Sequence, residues 1–229
     1  AARRAVSRLV QDTTALFVCD IQKTFSKLVP NGDSLVHTST MLVNAASALD
    51  MPVVVTEQSP QKLSSTCDSL KSALPETASV FEKTKFSMVT PEVEAKLQGD
   101  LRAVKSIILV GVEAHICVFQ TTLDLLEKGY DVHIVADACR SQREADRLFA
   151  FEVCVHLLGM ELYEVAPCSS LMSLVVVSFA TKRLKQSGAY LTTAESVLFE
   201  LVRDATHPSF RAISKLAKGH AQYLKNSKI

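Results

Sequence analysis

Three short stretches of this 229-residue chain concentrate side chains able to do chemistry. Asp20-Ile21-Gln22-Lys23-Thr24-Phe25 sets a carboxylate directly after an apolar run. Gly111-Val112-Glu113-Ala114-His115-Ile116-Cys117 turns from an apolar run into a helical pattern and places a thiol in its first turns. Phe81-Glu82-Lys83-Thr84-Lys85-Phe86-Ser87 carries two lysines at the end of a possible edge strand. A cysteine near a helix N-terminus gains from the positive end of the dipole, and a nearby ammonium lowers its pKa from the free value of about 8.5, so thiolate becomes available near neutral pH. A carboxylate in the same pocket can take the thiol proton and later return it to a leaving group. Backbone N–H groups of the turn before the helix would point where a carbonyl oxygen becomes an oxyanion. The pattern sketches an Asp-Lys-Cys hydrolase with Asp20 and Cys117, and it leaves Lys83 and Lys85 both open as the cation.

Such residues can meet only if a sheet brings their stretches to one end. Residues 15–19, 53–56, 107–110 and 132–135 are short apolar runs bounded by charges or Gly, as expected of parallel strands covered on both faces. Between them, residues 34–49, 91–97 and 114–128 carry apolar side chains at helical spacing, with Asp33 or Ser34 and Thr90 available as N-caps and Pro91 suited to a first helical position. Residues 189–192 read as a late strand, 193–203 as a helix capped by Thr193, and 210–217 as a closing helix. Alternating strand and helix imply right-handed crossovers and a doubly wound, Rossmann-like three-layer α/β/α fold with a mostly parallel sheet of about six strands. In such a sheet ligands sit beyond the carboxyl ends of the strands, near the reversal of strand order, where the three stretches fall.

Composition narrows the classes further. An apolar fraction of 48% with 25 basic against 24 acidic side chains excludes a disordered tail, a coiled coil and a collagen-like fibre. A net charge of +1 provides no field to draw in a polyanion or a membrane surface, so a small, modestly polar molecule is the expected partner. The basic termini (Arg3, Arg4, Arg8, Lys215, Lys218, Lys225 and Lys228) lack interleaved aromatics and read as solvated ends. The six cysteines, Cys19, Cys67, Cys117, Cys139, Cys154 and Cys168, form no C-x-x-C pair and read as reduced thiols of an intracellular protein. Cys19, Cys139, Cys154 and Cys168 are assigned to the core or to an insertion.

Residues 137–150 begin as a polar helix and residues 179–187 read as its end. The apolar stretch 151–178 between them is an insertion: either an added hairpin and helix at an interface or a translated gene-model error. The expected organisation is one domain over residues 12–218 with flexible ends at 1–11 and 219–229. No apolar run is long enough to span a bilayer, and a cytoplasmic location is expected, with Ser227-Lys228-Ile229 similar to the Ser-Lys-Leu peroxisomal address.

The stretches LFVCDIQKTF (16–25), PVVVTEQSP (52–60), KTKFSM (83–88), GVEAHICVFQTTLDLLEKGYDVHIVADAC (111–139) and SGAYLTTAESVLFELVRDATHPSF (187–210) resemble the isochorismatase-like cysteine hydrolases, a family that includes nicotinamidases and N-carbamoylsarcosine amidohydrolases. The resemblance covers most of residues 12–218 apart from the insertion. It implies Asp20 as the catalytic carboxylate, Lys83 as the lysine and Cys117 as the nucleophile. It also implies a non-proline cis peptide at Val112–Glu113, with the amides of Glu113 and Cys117 facing the oxyanion. Gln22, Phe25, Gln58, Phe86 and His115 are then expected around the substrate, His115 at the rim. Metal-dependent nicotinamidases present an Asp-x-His pair after the second strand, where this chain has Thr56-Glu57-Gln58-Ser59-Pro60, so no metal and no cofactor are expected. The expected activity is hydrolysis of a small amide, carbamoyl or related substrate through an acyl-thioester, by a homodimer or homotetramer. The alternatives are a catalytically quiet interaction protein that retains the fold and a nucleic-acid-processing enzyme.

Overall fold

The structure is a computed structural model and describes residues 7–155 and 188–227, with backbone alone at 149 and 151–155. Six strands make one sheet: β1 (Thr14–Cys19), β2 (Val53–Gln58), β3 (Ser79–Lys83), β4 (Ser106–Val112), β5 (Asp131–Arg140) and β6 (Tyr190–Thr192). Their order is β3-β2-β1-β4-β5-β6, and every neighbouring pair is parallel. β1, β2 and β4 are buried along almost their whole length because both faces are covered.

One face packs on α2 (Gly32–Ala48), α4 (Asp68–Ala73), α8 (Ala194–Val202) and α9 (Phe210–Asn226), through residues such as Leu35, Leu42, Leu70, Leu198 and Ile213. The other face packs on α5 (Pro91–Gln98) and α6 (Phe119–Glu127), through Val93, Leu97 and Leu125. Each such side chain contributes about 1.5–3 kcal/mol on full burial. Short α1 (Lys23–Leu28) and α3 (Pro60–Leu63) lie in the connections near the carboxyl ends of β1 and β2, and α7 (Glu144–Val155) follows β5.

Several boundaries differ from the sequence reading for local reasons. Thr90 and Thr193 do cap their helices, accepting from Val93 N and Ser196 N at 3.4 Å each. α2 begins earlier than Asp33 or Ser34 would allow, with Asn31 in the left-handed region as its cap. Gly32 is required there, because a Cβ would lie 1.7 Å from the Ser26 carbonyl oxygen. The segment read as one helix over 114–128 is a π-type turn, Ala114–Val118, continued by α6. Residues 137–140, read as the start of a polar helix, belong instead to β5, which regains its pairing with β4 at Cys139 and Arg140 after an irregular register.

The ends are also more structured than expected. Leu9 is buried, its N–H donates to Glu200 Oε1 at 2.9 Å and its carbonyl accepts from Arg203. α9 continues to Asn226, well past 217. The insertion assigned to 151–178 lies outside the described residues apart from the α7 backbone to 155. The residue 179–187 reading, Arg3, Arg4, the Cys154 and Cys168 side chains and the Lys228-Ile229 end lie outside them too. Among the described residues, no helix is long and apolar enough to cross a membrane.

Gly111 couples the fold to the site. It has φ +135°, and a Cβ on it would lie 2.0 Å from the Cys19 carbonyl oxygen on the adjacent strand. Gly111→Ala is therefore expected to destabilise the protein by about 3 kcal/mol or more, measured by urea unfolding; a loss within experimental error would contradict this packing.

Candidate active site

The strand order reverses between β1 and β4, and the ends of β1, β3 and β4 deliver one side chain each to the same place. Asp20 follows β1 with φ +53°, a left-handed conformation that aspartate tolerates better than most residues. Lys83 ends β3, and Cys117 lies in the π-type turn after β4, a feature often found at functional positions. The Val112–Glu113 peptide bond before that turn is cis.

Lys83 Nζ lies 2.6 Å from Asp20 Oδ2, and both side chains are fully buried. The ammonium also donates to Gln58 Oε1 at 2.7 Å and faces the carbonyls of Phe86 at 2.9 Å and Lys85 at 3.1 Å. Thr56 Oγ1 donates to the other carboxylate oxygen of Asp20 at 2.8 Å. The Sγ atoms of Cys19 and Cys117 and a carboxylate oxygen of Asp20 all lie within 4.8 Å of one another. Burial pushes the Asp20 carboxyl above its ordinary value, with Lys83, Thr56 and Cys117 opposing the shift. Burial works against the charge on Lys83, but Cys19, Asp20 and Cys117 together outweigh it and hold the ammonium above its usual value. The arrangement is a carboxylate whose proton affinity desolvation raises, a cation held among four oxygens, and a thiol beside the carboxylate.

Of the two lysines, only Lys83 enters this site. Lys85 lies on the surface, pairing with Asp124 at 2.8 Å and donating to the Val89 carbonyl. The residues expected around the substrate divide differently. Gln22 is fully buried and its amide is already occupied: Nε2 donates to the carbonyls of Gln58 and Ser64, and Oε1 accepts from Gln58 N at 2.8 Å. Gln58 spends Oε1 on Lys83 and Nε2 on the Thr84 carbonyl at 2.9 Å. Both amides therefore hold the site's frame, because an amide has few bonds to give and these are used.

Phe25 packs on the core face beneath α2, and His115 is tied by Nδ1 to Ser141 Oγ at 3.0 Å. Phe86 is 51% exposed beside Lys83 and remains available to a ligand. The Glu113 carboxylate accepts from Gln142 N at 2.8 Å, which fixes the start of the turn. Sequence reasoning missed Thr56; its assignment of Cys19 to the core holds, but it did not see that the sulfur also borders the site. The only signal for either was position: Cys19 ends β1 next to Asp20, and Thr56 is the register partner of Cys19 on β2.

Glu57, near the end of β2, spends one carboxylate oxygen on both Thr66 N and Thr66 Oγ1 at 2.7 Å. Among the described residues one cluster has three ligand-type atoms close enough for an ion, Cys19 with Asp20 and Cys117. A metal there would have to displace the Lys83 ammonium from Asp20.

The isochorismatase domain model matches residues 14–160. A secreted isochorismatase effector of Phytophthora sojae (strain P6497) is 39% identical over 221 residues, covering 96% of this chain and 91% of that protein. Isochorismatase domain-containing protein 2 of Xenopus laevis is 39% identical over 215 residues, covering 93% and 87%. Among solved structures, one titled MAR1 ribonuclease from Caenorhabditis elegans superposes with a TM-score of 0.75 at 38% identity, covering 92% of each chain.

The ion pair has a pH signature. Lys83→Met leaves Asp20 buried without its counter-charge, so its raised carboxyl pKa climbs further. A carboxyl whose folded pKa exceeds the unfolded value lends stability at low pH that is lost as pH rises through the folded value. The substitution is expected to cost about 3–5 kcal/mol near pH 7 and distinctly less near pH 4, as read by denaturant unfolding at both; an equal loss at the two would refute the pairing.

Proposed function

The chain belongs to the isochorismatase family and has its hydrolase fold, and from that premise we propose that it is a cysteine hydrolase of a small amide, carbamoyl or related acyl compound. The observation that carries this reading is the buried Asp20–Lys83 pair with the Cys117 thiol within 4.8 Å of the carboxylate. Cys117 Sγ attacks the carbonyl carbon and its proton passes to Asp20. Lys83 favours the negative charge that appears on sulfur, and the amides of Glu113 and Cys117 receive the oxyanion. The leaving amine takes the proton back from Asp20, and an acyl-thioester remains. Asp20 then deprotonates a water molecule that attacks the thioester and frees the acid. Thr56, Gln58 and Gln22 position the charged groups rather than touch the substrate.

A small substrate suits both the charge and the burial. Cys117 is 5% exposed and Asp20 fully buried, so a reacting carbonyl must enter a narrow space. The Caenorhabditis elegans structure carries a ribonuclease title, and for this chain that chemistry would require a polyanion to bind a protein of net charge +1. RNA cleavage that needs Cys117 and weakens steeply with salt would move the reading to that substrate class. For assembly, we keep a homodimer or homotetramer as the expectation, to be read from sedimentation.

Mass spectrometry of the intact protein with a panel of small amides and carbamoyl compounds is expected to show an acyl adduct on Cys117. Cys117→Ala removes the adduct and lowers kcat/KM at least ~10³-fold; turnover that survives this change would overturn the nucleophile. Because activity needs Asp20 ionised, kcat/KM should fall with decreasing pH through a limb above the ordinary carboxylate value of about 3.9. Thr56→Val, which removes a bond that lowers the Asp20 pKa, moves that limb to higher pH.

A further inference from the structure

Cys19 takes no part in the steps above, yet its sulfur lies within 4.8 Å of Cys117 Sγ. We propose that Cys19 is a resolving thiol, closing a Cys19–Cys117 disulfide when a hydroperoxide oxidises the nucleophile. The inference rests on the reading of Cys117 as the reactive thiol and adds a covalent modification site to it.

The two sulfurs need to approach by no more than about 2.8 Å to reach the S–S bond length of ~2.05 Å. Cys19 sits at the carboxyl end of β1, paired in register with Gly111 of β4, while Cys117 lies in the turn that follows β4. Cys19 is fully buried, so bulk reagents do not reach it and an oxidised sulfur beside it does. The other described cysteines are placed differently: Cys139 is directed at the Leu109 carbonyl at 3.8 Å, and Cys67 precedes α4. The four described cysteines are all free thiols.

The chemistry balances with one oxidant. Cys117 thiolate attacks the hydroperoxide, the O–O bond breaks, and Cys117 sulfenic acid and an alcohol form once the departing alkoxide takes a proton. Cys19 then attacks the sulfenic sulfur, the S–O bond breaks and water leaves. Cys19 Sγ donates to Asp20 Oδ2 at 3.6 Å, which gives its proton a path to the departing hydroxide. Two thiols and one hydroperoxide become a disulfide, an alcohol and water. Burial holds the Cys19 thiol well above its usual pKa, so it stays protonated until that step and does not compete for substrate. The benefit is chemical: a sulfenic acid with no partner proceeds to sulfinic and sulfonic acids, whereas a disulfide returns to thiols with a reductant. A metal ion is the poorer occupant of the same three atoms, because the Lys83 ammonium already sits 2.6 Å from Asp20.

The full chain, reduced and then treated with excess hydrogen peroxide, is quenched with N-ethylmaleimide in denaturant and digested with trypsin. Fragments 9–23 and 106–128 carry one cysteine each, so the link reads out as a single joined species. The joined species is expected as the main product, and dithiothreitol restores fast iodoacetamide labelling of Cys117. In Cys19→Ala the same treatment gives sulfinic and sulfonic acid on Cys117, and recovery with dithiothreitol drops at least about fivefold. Unmodified wild-type Cys19 beside over-oxidised Cys117 overturns the proposal without recourse to the variant, as does equal recovery in Cys19→Ala. Absence of any fast-labelling thiol before peroxide sinks the nucleophile reading as well, whereas a fast Cys117 that never joins Cys19 sinks the resolving role alone.

Discussion

A lysine and an aspartate held together where water is excluded set the terms for everything around them. Removing two ions from water costs several kcal/mol each, and their mutual attraction offsets this only when the remaining donors and acceptors are also satisfied. Lys83 accordingly faces four oxygens and Asp20 accepts at both of its own. Thr56 and Gln58 meet those needs directly. Gln22 meets them one step further out, tying the end of β2 to the start of α1. This explains why amides that resemble substrate ligands in a linear reading are absorbed by the frame: a buried charge takes the nearest polar groups first.

The same requirement sets the close approach of β1 and β4. Asp20 points into the site from a left-handed conformation, and Gly111 must lie against the Cys19 carbonyl with no side chain between. Bringing those strand ends so near also brings two sulfurs together. One lies on the turn where a substrate would arrive, and the other is sealed beneath it. A carboxylate shared between both gives each thiol a proton acceptor, and the neighbouring ammonium favours whichever sulfur carries charge. Nucleophilic chemistry and reversible oxidation would then draw on one electrostatic arrangement.

Long elements with a clear period were legible. The four inner strands and the helices over 32–48, 91–98, 194–202 and 210–226 correspond to apolar patterns that burial enforces, although the last continues where the pattern turns polar. α1, α3 and α4 were not read as helices, since four to six residues are too few to display a helical period and they are held by contacts from other strands. β5 was read too short because Asp137 and Arg140 interrupt its apolar run, and charged residues at a strand's carboxyl end look like the opening of a helix. Lys83 and Lys85 are equivalent by spacing from the strand. Family resemblance favoured the first, and the ion pair to Asp20 separates them physically.

The order of residues along the chain determined a parallel α/β sheet and put an acid, a lysine pair and a cysteine at the ends of its strands, because hydrophobic periodicity and residue chemistry are local properties. Which lysine turns inward, which amides are already spent and which second thiol stands beside the first were decided by tertiary structure. Those outcomes depend on distances between strands far apart in sequence and on which polar groups lose water together, neither of which any local stretch encodes.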